Sequence, residues 1–138
     1  ERQPEAILQI LKEAVDNLHN KRVLMLGLAF KPDTDDVRES VSLKLLNLLS
    51  GQVSKLTAHD PIAIDNAKKE INQRFDVDFS QDWRSNIECA DIIMICTNWG
   101  EYSELAEMND RLKGKVIFDT RSLLSGLDNR DVQYITVN

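Results

Sequence analysis

The chain has 138 residues, one domain's length, and a chain of that size buries roughly two thirds of its unfolded surface, so its core needs no disulfide or metal staple. Its 42% apolar and 29% charged residues suit a globular domain, and 23 acidic against 17 basic side chains leave a net charge of −6. That balance argues against a nucleic-acid-binding or anionic-membrane surface, so any phosphate recognition has to be local.

Ile7, Leu8, Leu11, Ala14, Val15 and Leu18 recur at helical spacing behind Pro4, which predicts an amphipathic helix over 4–19 leading into the domain. The apolar run from Val23 to Leu26 predicts a buried parallel strand over 22–28, followed by a helix over 41–50 that Gly51 stops. Lys55 to His59 reads as a second strand ended by Asp60-Pro61, then a helix over 62–73 and a short strand from Val77 to Phe79. A polar helical segment over 82–89 leads to the clearest core strand, Asp91 to Thr97. Glu101 to Met108 is helical in pattern, Gly114 breaks the chain, and Lys115 to Asp119 and Val132 to Ile135 complete the strands. Strands alternating with helical stretches imply right-handed crossovers and hence an α/β, Rossmann-like, doubly wound and mostly parallel sheet with helices on both faces.

Cys89 and Cys96 lack paired metal-ligand spacing and are expected to be small buried hydrophobes of a reducing cytoplasm. No run of 18 residues lacks a charge, so neither a leader peptide nor a membrane span is expected, and no metal site is. A sequence opening on Glu1 without Met is expected to belong to a longer protein.

The most informative stretch is the turn from Gly27 to Ser40, GLAFKPDTDDVRES, which sets a cation near each end of a strand-to-helix connection that lacks a glycine-rich phosphate loop. Ligands of open α/β sheets bind outside the carboxyl ends of the strands, so Phe30, Lys31 and Arg38 fall on that edge. Lys31 offers a point charge to a diphosphate, and Arg38, near a helix start, can grip a phosphate bidentately or pair with Asp35 or Asp36. Arg121, after Asp119 on a strand expected beside the first, adds a third cation. Asp60 ends the second strand where a dinucleotide fold carries a ribose-binding acid, but without the glycine fingerprint it reads as a loop cap.

Gly27 to Ser40 resembles the first turn of the carboxy-terminal domain of the UDP-glucose/GDP-mannose dehydrogenase family, departing where Val41 stands for the family's usual Pro. The resemblance extends to Asp60-Pro61, to Ala90 through Tyr102 and to Val116 through Arg121, covering roughly 22–135. It implies that 21–138 form a nucleotide-sugar-binding domain and that 1–20 are a linker helix from a central dimer-forming region. It further implies an enzyme, a homodimer when full length, that oxidises a UDP-sugar or related nucleotide hexose to its uronic acid in two NAD-dependent steps. Phe30, Lys31 and Arg121 match substrate-binding positions, and Arg38 matches one that reaches NAD across an interdomain cleft. NAD would be held mainly by a separate amino-terminal domain. The family's catalytic cysteine context does not occur here, so no residue of this chain is assigned to catalysis. A free-standing nucleotide-binding or regulatory module is the alternative.

Overall fold

The computed structural model describes residues 3–137. Six strands, β1 (Arg22–Leu26), β2 (Lys55–His59), β3 (Asp78–Phe79), β4 (Ile92–Ile95), β5 (Val116–Asp119) and β6 (Gln133–Thr136), form one sheet in the order β3-β2-β1-β4-β5-β6. Every adjacent pair is parallel, and this is the strand order of the dinucleotide-binding sheet. The order reverses between β1 and β4, which makes their carboxyl ends the topological switch point. β5 is therefore not beside β1 as the sequence suggested: β4 lies between them.

The strands alternate into two cores. Val23 and Met25 of β1 and Ile92 and Met94 of β4 face one side, which is covered by α1 (Pro4–Ala14), α2 (Val41–Leu49) and α3 (Ile64–Ile71). Leu24, Leu26, Ile93 and Ile95 face the other, which is covered by 3₁₀ turns at Trp83–Asn86, Gly100–Glu107 and Asn109–Leu112. Burial on both faces is why these strands read as unbroken apolar runs. The helical segments read over 82–89 and 101–108 are thus 3₁₀ turns at Trp83–Asn86 and Gly100–Glu107. In the second, Tyr102 and Leu105 are buried three residues apart, the spacing at which 3₁₀ side chains align.

α1 also ends earlier than its apolar periodicity implies. Val15 turns extended and Asn17 takes a left-handed conformation (φ 55°), which Asn tolerates, before a 3₁₀ turn at Leu18–Asn20. The apolar face of the helix is covered: Ile7, Leu8, Leu11 and Val15 are buried in the α-helical core.

Two contacts fix the path of the chain as it leaves β1. Gly27 has φ +103°, and a Cβ there would overlap the side chain and backbone of Thr97 just past β4. Asp60, 1% exposed, accepts the N–H groups of Leu28 (2.8 Å) and Ala29 (3.1 Å) on Oδ2 and those of Ile62 and Ala63 (3.0 Å each) on Oδ1. The carboxylate joins the β1 exit to the start of α3. Beside it, the buried His59 ring has Nδ1 2.9 Å from the Tyr102 hydroxyl, and burial lowers its pKa.

Asp60→Ala strands three buried N–H groups and is expected to cost about 2–5 kcal/mol in urea unfolding at neutral pH. Gly27→Ala meets both strain and a wall of Thr97 atoms and should cost about 2–4 kcal/mol, whereas Gly51→Ala, also at positive φ (+80°) but facing open space, should cost about 1–2 kcal/mol. The lowered His59 pKa means that its stabilisation is fully present above the unfolded value of about 6.5. As pH falls below that value the unfolded chain takes up a proton the folded one refuses, and stability drops. His59→Gln should flatten that limb of the curve of unfolding midpoint against pH.

Candidate functional site

Beyond Gly27 each backbone carbonyl of the β1 exit meets a side chain from a different element. Leu28 O accepts from Ser40 Oγ (2.7 Å), Ala29 O accepts from Thr97 Oγ1 (2.7 Å), and Phe30 O accepts from Arg121 Nη2 (3.3 Å). Ser40 is also the N-cap of α2, accepting from Leu43 N–H at 3.4 Å, so Val41 replaces the family's usual Pro without loss of the cap. The Phe30 N–H closes the loop on Asp36 O at 3.2 Å. Leu28 and Ala29 are buried, and the chain surfaces at Phe30, which is 47% exposed.

Three of the four predicted residues meet there. Lys31 Nζ lies 5.4 Å from the centroid of the Phe30 ring. Arg121 reaches back across the end of β4: its Nε donates to Cys96 O at 3.0 Å while Nη2 holds Phe30 O. Its backbone N–H is fixed in turn by Asp119 Oδ1 at 3.0 Å. The guanidinium is thus braced on two backbone carbonyls at the switch point of the sheet. The exposed ammonium of Lys31 stands on the same loop.

Arg38 is placed elsewhere. Its side chain, 83% exposed, forms a fork with Asp36 (Nε to Oδ1 and Nη2 to Oδ2, both 3.0 Å), and this pair holds the Asp36 carboxyl below its ordinary pKa. Asp36, of the two partners weighed from sequence, is the one that takes it. Arg38 lines a surface groove of about 380 Å³ with Asp35, Asp36, Asn66, Lys69 and Glu70, against α3.

Asp60, read from the sequence as a loop cap, is spent on structure. In addition to its four backbone donors, Asp60 Oδ2 accepts from Trp99 Nε1 at 3.2 Å. The N–H groups of Leu28 and Ala29, which in a phosphate-binding first turn would face the ligand, point at Asp60 instead. This turn does not fit a dinucleotide pyrophosphate. Among the described residues no group of three or more His, Cys, Asp or Glu is arranged to hold a metal.

The cysteines divide. Cys96 is buried, its thiol pushed up to about 12, and it is unreactive; Cys89 is exposed, contrary to the expectation of two buried thiols, because it follows the 3₁₀ turn rather than lying in β4. Sequence reasoning missed Thr97 and Tyr134 as parts of the rim. Thr97, a lone polar residue closing an apolar strand, carried a signal; Tyr134 did not, because its partner Asp119 is fifteen residues away.

The family model described as "UDP-glucose/GDP-mannose dehydrogenase family, UDP binding domain" matches residues 24–126. UDP-glucose 6-dehydrogenase AglM of Haloferax volcanii is 33% identical over 132 residues, covering 95% of this chain and 30% of that protein. YwqF of Bacillus subtilis, also a UDP-glucose 6-dehydrogenase, is 34% identical over 104 residues, covering 74% of this chain and 23% of its own. A UDP-glucose dehydrogenase structure from Pyrobaculum islandicum superposes with a TM-score of 0.77 at 29% identity, covering 94% of this chain and 28% of that one. The chain thus spans under a third of the length of these relatives. A match over the β1 exit, the Asp60 clamp and the Arg121 turn together shows that the chain belongs to the UDP-glucose/GDP-mannose dehydrogenase family, as its UDP binding domain.

Proposed function

We propose that this chain supplies the nucleotide-sugar site of an NAD-dependent nucleotide-sugar 6-dehydrogenase, with UDP as the nucleotide. The observation that carries the reading is the Arg121 guanidinium, braced on Cys96 O and Phe30 O beside Lys31. Lys31 and Arg121 take the diphosphate, Lys31 as a point charge and Arg121 through planar donors. Phe30 packs against the nucleotide sugar at the exposed end of the loop.

Arg38 stands away from this rim and is proposed to face NAD from across a cleft, exchanging part of its pairing with Asp36 for the cofactor. NAD, when bound, accepts the hydride from the sugar. The Asp60-bound turn argues that its pyrophosphate is held by another part of the protein, as are the nucleophile and the base. The residues of this chain bind and orient. A homodimer of the full-length protein, and a cytoplasmic location to which the two free thiols are suited, complete the proposal.

Calorimetric titration of the chain with UDP tests the site. Lys31→Ala and Arg121→Ala should each weaken binding by about 1.5–3 kcal/mol, the net worth of a charge-assisted hydrogen bond. Arg38→Ala should stay within about twofold of wild type, because it shares no contact with the other three. Absence of binding to UDP, or variants at 31 and 121 indistinguishable from wild type, overturns the assignment. Supplied with NAD and UDP-glucose, the chain alone should produce no reduced nicotinamide; measurable turnover would refute the division of labour.

A further inference from the structure

The Arg121 turn is supported by a partly buried polar chain that starts on the edge strand. Tyr134 of β6 donates its hydroxyl to Asp119 Oδ2 at 2.6 Å. The same carboxylate accepts the N–H of Leu124 on Oδ2 (2.8 Å) and the N–H of Arg121 on Oδ1 (3.0 Å). Asp119 is fully buried at the end of β5. Its two oxygens therefore bracket the turn 121–124, whose Ser122 is held at φ 55°, a conformation that costs a Ser free energy unless its surroundings impose it.

From that turn the Arg121 side chain has to cross the end of β4 to reach Phe30 O, ninety-one residues earlier in the sequence. Rotation of the Asp119 carboxylate would move the Arg121 backbone N–H, and with it the origin of the guanidinium's reach. We infer that Tyr134 and Asp119 are positioning residues for the nucleotide-diphosphate site: the phenol fixes the carboxylate, the carboxylate fixes the turn, and the turn aims Arg121 across β4 at the rim. The inference rests on the reading of Arg121 as a diphosphate ligand for its functional consequence, but not for its geometry. Burial, with the hydrogen bond to Asp119, raises the Tyr134 pKa, so the phenol remains a donor throughout the neutral range. Asp60 does for the β1 exit what Asp119 does for the β5 exit, so the rim is clamped from beneath on both sides of β4.

Tyr134→Phe removes one hydroxyl and leaves the ring, so it tests the chain of bonds with little change of packing; Asp119→Asn keeps an acceptor and should be milder than Asp119→Ala. In ligand-free protein, the Arg121 Nε–H proton should exchange with water about three- to tenfold faster in Tyr134→Phe, while the Trp83 indole N–H, which is held by Glu101 instead, stays unchanged. Equal exchange at Arg121, or equal acceleration at Trp83, overturns the positioning role. UDP titration of a double-mutant cycle gives the functional half. Tyr134→Phe should weaken UDP binding about three- to tenfold when Arg121 is present and have no further effect beside Arg121→Ala. An equal loss in both backgrounds, or none in either, refutes the coupling. If Arg121→Ala itself leaves UDP affinity unchanged, the diphosphate reading fails while the exchange rate at Arg121 still decides whether Tyr134 and Asp119 position it.

Discussion

The buried carboxylate of Asp60 is the constraint on which the rest of this domain depends. Burying a charge is expensive unless donors replace its lost water, and here five N–H groups do so: four from the backbone and one from Trp99. They come from the exit of β1, the entry to α3 and the segment after β4. α3 has Ala63 at its N-cap and so no side-chain cap of its own, and Asp60 takes the amides leading into it. Three chain segments far apart in sequence are thereby held at the place where the strand order reverses.

That constraint also decides what the turn after β1 can bind. In a dinucleotide-binding fold the first turn offers its amides to a pyrophosphate. Here the Leu28 and Ala29 amides are directed inward and the loop first reaches the surface at Phe30 and Lys31, so an anion at this edge would meet side chains rather than a cradle of N–H groups. In the proposed site the cations are Lys31 of the loop itself and Arg121, which follows β5. In a chain of net charge −6, a local pair of cations favours a small anionic ligand over a polyanion.

The rim is assembled by pairing unlike parts. Gly27 and Thr97 bring the ends of β1 and β4 into contact, and Arg121 spans both from β5. Loop geometry that would be soft in isolation is set by buried hydrogen bonds to Ser40, Thr97 and Asp119. Arg38, tied to Asp36 on the exposed outer side of the loop, belongs to a different surface and is far less restrained.

The sequence by itself determined the central strands β1 and β4, because apolar runs of four residues between turn signals fit little except buried parallel strands, and it determined the family through the Gly27–Ser40 turn. It also pointed to Phe30, Lys31 and Arg121 at the carboxyl edge, and it read Asp60 as a structural cap because the glycine fingerprint was missing. Helix type was less legible: the apolar spacing over 101–108 suits α-helix and 3₁₀ alike, and only packing against the sheet decided it. Tertiary structure alone decided the neighbours. That β4 separates β5 from β1, that Arg121 crosses it while Arg38 turns away, and that Tyr134 reaches Asp119 all depend on strand order and side-chain reach. Those are set by long-range burial, which local sequence spacing does not encode.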